Sequence, residues 1–146
     1  MTTINGLALP EIVLRLMSGG RWQMPTEPDL LGSLFEQHGD PGYGGPKHYS
    51  LPEMQSETRN WIDLSKPGSI LLGTPDPQNS PGDIDPTKTV LIGDIGMGFD
   101  SPIALDYRSA FHDLPVLRFT WSSDCRRPRW IQMAQTIELF VKYLEL

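Results

Sequence analysis

Two carboxylates enclose a glycine-rich turn in the middle of the chain and offer the most evident chemistry in the sequence. Asp94 and Asp100 flank the letters IGMGF, and carboxylates beside small residues are typical of loops that hold a hard cation such as Ca²⁺. Calcium sites use about six to eight oxygen ligands, however, and only Asp94, Asp100 and Ser101 supply side-chain oxygens here. The glycine spacing also differs from the phosphate-binding G-x-G-x-x-G pattern. We therefore interpret the segment as a structural turn and expect no metal and no cofactor.

The charged tripeptide Asp106-Tyr107-Arg108 ends the apolar segment that follows this turn. Arg108 either forms an internal ion pair that holds the loop or contacts a partner, and we favour the internal pair because a buried arginine is normally paired. Acid is concentrated in this half of the chain, since eight Asp and no Glu lie between positions 76 and 124. These carboxylates either cap turns or form a negative face for a basic partner. The candidate partner-binding residues are Asp94, Asp100, Asp106 and Asp113.

A cysteine and a group of arginines near position 125 give weaker indications of a catalytic thiolate and of a nucleic-acid-binding patch. Cys125 has Arg126 and Arg127 beside it, which would favour a thiolate, but no histidine is near it in the sequence to act as a base. The same arginines, together with Arg129 and Trp130, are similar to a patch for single-stranded nucleic acid. Three arginines are a small footprint in a chain of net charge −6. We therefore predict no catalytic residue and no nucleic-acid partner.

The numbers and positions of histidine and cysteine argue against a zinc site and indicate the cellular compartment. His38 and His48 flank a loop but lack the third and fourth protein ligands that a zinc site usually needs. A single cysteine excludes an internal disulfide and fits a reducing cytosol. Apolar runs are too short to cross a bilayer, and Pro10-Glu11 interrupts the amino-terminal apolar stretch, so we expect no signal peptide and no membrane association. The sequence predicts a cytoplasmic protein.

Composition and hydrophobic spacing predict the elements that would position these groups. A chain of 146 residues suits one domain, 1–146, and its 14 Gly and 14 Pro predict long irregular loops, at 38–47 and as a surface excursion at 73–86. Helical spacing with capping residues predicts helices at Pro10 to Gly19, Leu30 to Phe35, Ser50 to Trp61 and Thr136 to Leu144. Short apolar or alternating runs predict strands at 69–72, 90–92, 103–105, 115–121 and 129–134, with one buried face in the fourth.

The order of these elements predicts the fold class. Helices come first, then four or five strands linked by turns, then a last helix, which is the α+β pattern. We expect an antiparallel or mixed central sheet with amino-terminal helices and a carboxyl-terminal helix packed on it.

The central turn also resembles a motif of the SUKH superfamily, the SMI/KNR-like proteins, in the segment Asp94-x-Gly96-x-Gly98-x-Asp100-Ser101-Pro102-Ile103-Ala104-Leu105-Asp106. The similarity continues in Arg129-Trp130-Ile131-x-x-Ala134 and Ile137-x-x-Phe140, and at the amino end in Leu9-Pro10 and Ser50-Leu51-x-Glu53-Met54. The superfamily includes fungal regulators of cell-wall assembly and killer-toxin resistance and bacterial immunity proteins. The resemblance implies an α+β domain with a protein-binding role and no catalytic residues.

Two functions follow from the resemblance. The first is a non-enzymatic immunity protein, monomeric or dimeric, that neutralises a cognate toxin such as a nuclease by direct binding. The second is an intracellular regulatory or scaffold protein of the SMI/KNR-like type that binds a housekeeping partner. In the first case, the aspartate-rich half would face a basic surface of the toxin.

Overall fold

The computed structural model describes residues 2–23, 47–67, 69–75, 81–94, 102–108, 114–120 and 128–146. These residues form three α-helices, a six-stranded antiparallel sheet and a two-stranded hairpin, which is the predicted α+β class. The helices are α1 (Glu11–Ser18), α2 (Leu51–Leu64) and α3 (Ile137–Tyr143). The hairpin strands are β1 (Thr3–Ile4) and β2 (Leu7–Ala8), and the sheet strands are β3 (Lys47–His48), β4 (Pro81–Gly82), β5 (Thr89–Asp94), β6 (Pro102–Asp106), β7 (Val116–Thr120) and β8 (Arg129–Ala134).

The large sheet is antiparallel throughout, with its strands in the order β3-β5-β6-β7-β8-β4. The two apolar runs around the central turn pair as predicted, with Val90 opposite Leu105 in β5 and β6. Strands β5 to β8 are sequential neighbours, as is typical of antiparallel sheets joined by short connections. The two-residue strands β3 and β4 form the edges, so the sheet has more strands than the four or five expected.

Helix α2 covers one face of the sheet. Its capping box is formed as predicted, because the Ser50 hydroxyl accepts from the Glu53 N–H at 3.3 Å and the Glu53 carboxylate accepts from the Ser50 N–H at 3.2 Å. Its buried residues are Met54, Thr58 and Trp61, which lie on one face of the helix, and Leu51 on the same face is half-buried. Trp61 lies edge-on to Phe119 and Trp130, with ring centroids 5.4 and 5.8 Å away, a geometry favoured by the aromatic quadrupole.

Helix α3 belongs to the opposite face. Its buried residues follow the predicted i, i+3, i+4, i+7 spacing, namely Ile137, Phe140, Val141 and Leu144. Thr136 caps the helix as predicted, since its hydroxyl accepts from the Leu139 N–H at 3.1 Å. The Phe140 ring lies 6.0 Å from the ring of His48 in β3. Besides its contact with β8, α3 therefore also reaches β3 through Phe140.

Strand β7 departs from its predicted pattern because elements lie on both sides of it. Its alternation predicts one buried face and one exposed face. Val116 and Leu117 are both inaccessible, and Arg118 and Phe119 are 7% and 0% exposed, so both faces are buried and the prediction is wrong. Alternation in β7 therefore reflects two chemically different packed faces.

The segment 69–72, predicted to be a strand, is a 3₁₀ helix over Ile70–Leu72. The Ser69 hydroxyl accepts from the Leu71 N–H at 3.2 Å, which offers the backbone a local alternative to a strand ladder. Gly73 then ends the turn with φ +74°.

The loop 73–86 is also more integrated than the predicted surface excursion. Gly73 forms an antiparallel bridge with Asp83, and β4 pairs with β8 at the sheet edge. Ile84 is only 5% exposed. For the described residues of this loop the prediction is wrong, because the chain returns to the sheet and buries an apolar side chain there.

The amino-terminal residues contain one predicted element and one that was missed. Helix α1 begins after Pro10 and ends before Gly19, as its spacing predicts. The β1–β2 hairpin turns through Asn5 and Gly6, whose φ values of 57° and 81° are both positive, as a type I′ turn requires. An Asn-Gly pair between apolar residues predicts such a hairpin, and the sequence contains this signal at Asn5-Gly6. The predicted helix at Leu30–Phe35 and most of the 38–47 loop lie outside the described residues.

Candidate functional site

A cleft of about 170 Å³ opens between the second half of α2 and the strands beneath it. Four of its lining residues come from α2 and recur at i, i+3, i+4 and i+7, which places them on one stripe of the helix: Glu57, Asn60, Trp61 and Leu64. The other lining residues belong to β5, to the start of β6 and to the residue after β3: Leu91, Asp94, Pro102 and Tyr49. Helix and sheet together therefore fix the cleft.

The position of α2 over the cleft is fixed by a hydrogen bond to β5. The Thr58 hydroxyl, in a residue only 2% exposed, accepts from the Leu91 N–H at 3.0 Å. β5 shifts register against β6 between Leu91 and Gly93, which is where ladder bonds are locally disrupted. Thr58 thus satisfies a buried strand amide, which would cost about 1–3 kcal/mol if left unpaired. The neighbouring positions 57, 60, 61 and 64 are held over the sheet as a result.

The lining divides into an apolar part and an acidic part. Trp61 is 6% exposed and forms a buried wall with Leu91 and Pro102. Leu64, which is 62% exposed, places an apolar side chain at the rim. Glu57 and Asp94 supply carboxylates. Such a surface can attract a cation and at the same time desolvate an aliphatic group.

The pKa of Lys47 is raised by several carboxylates beside the cleft. Its ammonium donates to Glu53 at 2.6 Å. That hydrogen bond raises the pKa of Lys47, its slight burial opposes the effect, and attraction from Glu53, Glu57 and Asp94 raises the pKa further. The same hydrogen bond lowers the pKa of the Glu53 carboxyl. Glu53, Glu57 and Asp94 therefore all act on one ammonium, and these described carboxylates outnumber it.

Of the four candidate partner-binding residues from the sequence, the structure places one in the cleft. Asp94 lines it. Asp106 is 7% exposed and lies in an internal ion pair with Arg108. Asp100 and Asp113 lie outside the described residues, as do Cys125, Arg126 and Arg127. Asp94 therefore lines the cleft, whereas Asp106 belongs to an internal ion pair and its prediction as a partner-binding residue is wrong.

Arg108 takes the internal role that the sequence favours. Its guanidinium donates to both oxygens of the Asp106 carboxylate, at 3.1 Å or more, and to the Asp83 carboxylate at 2.9 Å. It also donates to the Asp83 backbone carbonyl at 2.8 Å. Planar bidentate pairing of this kind gives fixed geometry as well as energy. The end of β6 is thereby tied to the chain that follows β4.

His48, weighed above as a metal ligand, is a packed ring. It stacks on Trp22 with ring centroids 3.9 Å apart, and its two nitrogens are inaccessible and have no hydrogen-bond partner among the described residues. Within those residues, no group of three or more His, Cys, Asp or Glu is arranged to hold a metal ion. Burial lowers the pKa of His48 to about 3. The imidazole is therefore neutral at physiological pH.

Because the His48 pKa is about 3 in the folded protein and about 6.5 in an unfolded chain, the unfolded state binds the proton first on acidification. We expect the free energy of unfolding to fall by about 2 kcal/mol between pH 7 and pH 5 from this residue. Urea unfolding at several pH values measures the loss, and His48→Phe should remove it. An unchanged pH slope in the variant, or an imidazole protonated at pH 5 by NMR, would contradict the assignment.

The sequence analysis missed Glu57, Asn60, Trp61 and Leu64 as site residues. Their spacing places them on one stripe of the helix. The stripe has a carboxylate at one end, an amide in the middle and a leucine at the other end, so it matches no single kind of site. A helix stripe beside the buried one, combining charge with an exposed leucine, is the signal that would have found them.

Comparison of the chain with protein-family models, with curated proteins and with solved structures found no match. The helices of the described part of the chain include none with the length and apolar character to cross a membrane.

Proposed function

We propose that this protein is a non-enzymatic binding domain of the SUKH type, an immunity protein that neutralises a toxin by direct contact. The observation that carries the proposal is the cleft beside α2, where Glu57 and Asp94 lie next to the apolar wall of Trp61. Interfaces combine buried aromatic anchors with charged rims that set partner choice. The α+β class that the resemblance implies is also the class of the described residues, which supports the proposal.

Charge supplies the physical basis of neutralisation. The chain carries a net charge of −6, and the described residues around the cleft hold more carboxylates than ammonium groups. A nuclease toxin needs a basic surface for its phosphate backbone substrate. An acidic protein is attracted to that surface, accelerates encounter and excludes the substrate from it. Neutralisation then requires only that the protein covers the substrate-binding surface of the toxin, and it requires no chemical reaction.

The decisive experiment pairs the protein with the toxin encoded beside its gene. Co-expression should restore growth of cells that produce the toxin, and the two chains should co-purify. Because attraction between unlike charges is screened by salt, the association rate should fall by about tenfold or more between 50 and 500 mM NaCl.

A toxin from an unrelated system serves as the control and should neither bind nor be neutralised. Absence of both complex and protection would overturn the immunity function. Capture of a housekeeping protein in place of a toxin would instead support the regulatory function.

A further inference from the structure

The cleft beside α2 has the size of a single side chain. Its volume is about 170 Å³, whereas pockets for drug-sized ligands occupy about 300–1,000 Å³. It opens between a helix and the sheet, with Leu64 exposed at its rim. A side chain projecting from a partner surface can therefore enter it, and a larger molecule cannot be enclosed.

The chemistry of the lining selects an amphipathic, cationic side chain. Trp61, Leu91 and Pro102 offer apolar surface, so an incoming group gains by burying methylene groups there. Glu57 and Asp94 offer carboxylates, so its end gains by carrying positive charge. An aliphatic side chain would cover polar surface of those carboxylates without returning a hydrogen bond to it. Arginine and lysine satisfy both halves of the lining.

We infer that this cleft is the anchor site for one arginine side chain of the partner protein, an inference that rests on the proposed function. Five N–H donors in a planar fork can serve more than one acceptor at once, and the lining supplies two carboxylates and the Asn60 amide oxygen. The methylene groups of the arginine side chain also pack on the parts of Trp61 and Tyr49 that line the cleft. A lysine ammonium is a compact, strongly hydrated point charge and uses fewer of these groups.

The cleft can be tested without knowing the partner, by NMR titration with the blocked tripeptide acetyl-Gly-Arg-Gly-amide. Saturable shifts are expected at the amides of Asn60 and Leu64 and at the indole of Trp61. The same peptide with citrulline, which keeps the shape and loses the charge, should produce none of them. The lysine peptide should bind at least threefold more weakly than the arginine peptide.

Glu57→Gln is the matched variant, because Glu57 lies on the exposed part of α2 and its substitution leaves the core intact. Its affinity for the arginine peptide should fall about fivefold or more, since a charge-assisted contact is lost. Glu138→Gln, an exposed acid in the first turn of α3, removes the same charge elsewhere and should leave affinity unchanged. Equal binding of the citrulline peptide, equal binding by Glu57→Gln, or shifts away from the cleft would overturn the inference.

A second arm separates this inference from the proposed function. Glu57→Lys, folded by circular dichroism, should bind the cognate toxin at least tenfold more weakly than the unmodified protein. If the toxin binds both proteins equally, the anchor site is wrong while the immunity function stands. If the unmodified protein binds no toxin, the immunity function fails, and the peptide titration still decides whether the cleft holds arginine.

Discussion

Gly73→Ala is expected to lower the free energy of unfolding by about 4 kcal/mol. Gly73 has φ +74° and ψ −166°, a combination that is essentially restricted to glycine and costs other residues about 1–3 kcal/mol. A Cβ at this position would also lie 2.2 Å from the backbone carbonyl oxygen of Gly82 and 3.1 Å from Cδ1 of Trp130. Because the first of these neighbours is backbone, relief requires movement of β4 itself. Urea unfolding followed by tryptophan fluorescence measures the loss.

Gly20→Ala is the matched control for Gly73→Ala. Gly20 has a similar φ of +68°, but a Cβ there meets nothing within 4 Å. Gly20→Ala should therefore lower the free energy of unfolding by only about 1–2 kcal/mol, which is the penalty of the left-handed conformation. The difference between the two variants therefore combines the close approach of Gly73 to Gly82 with the ψ of −166° at Gly73. Equal losses in both variants would contradict the role of that contact.

Arg108→Met is expected to lower the free energy of unfolding by about 3 kcal/mol. Methionine keeps the aliphatic stem but leaves the carboxylate of Asp106, whose side chain is 9% exposed, without its guanidinium. Removal of one partner of a buried ion pair costs about 3–5 kcal/mol, and we take the lower end because the Arg108 side chain is 26% exposed. The Asp83 carbonyl and carboxylate lose the same donor. Denaturant unfolding at pH 7 measures this loss.

The double variant Arg108→Met/Asp106→Asn tests whether the unpaired charge of Asp106 causes the loss of stability in Arg108→Met. Asparagine removes the buried negative charge and can still accept from the Arg108-position N–H, which Asp106 now does at 3.0 Å. The double variant should therefore recover at least half of the stability lost in Arg108→Met. A double variant no more stable than the single one would show that packing of the guanidinium, and not the charge of Asp106, is decisive.

The capped helices and the strands around the central turn were predictable because the residues that form them are close in sequence. The capping box of Ser50 and Glu53 spans three positions, and the cap of α3 by Thr136 is equally local. The strands around the central turn carry enough β-branched and apolar residues to be found without tertiary information. Ionic pairing of Arg108 was also predictable, because buried guanidinium groups are normally paired.

Features that depend on distant contacts, or on competition between two local hydrogen-bonding patterns, were not predictable. Ser69 begins a 3₁₀ helix where the apolar letters after it predict a strand, since its hydroxyl competes with ladder bonding. The approach of Gly73 to Gly82 is set by the path of the sheet edge, for which the sequence has no local signal. The cleft joins α2 to β5 and β6, so Asp94 was found as an isolated acid and Glu57 was not found at all.

The short edge strands of the large sheet bear on how the protein can self-associate. β3 and β4 each contribute two residues, one edge begins with Lys47 and the other with Pro81, which has no amide hydrogen to donate. Lysine and proline at such positions discourage strand addition by another molecule. Within the described chain, these two edges therefore offer a poor template for cross-β stacking with a second molecule.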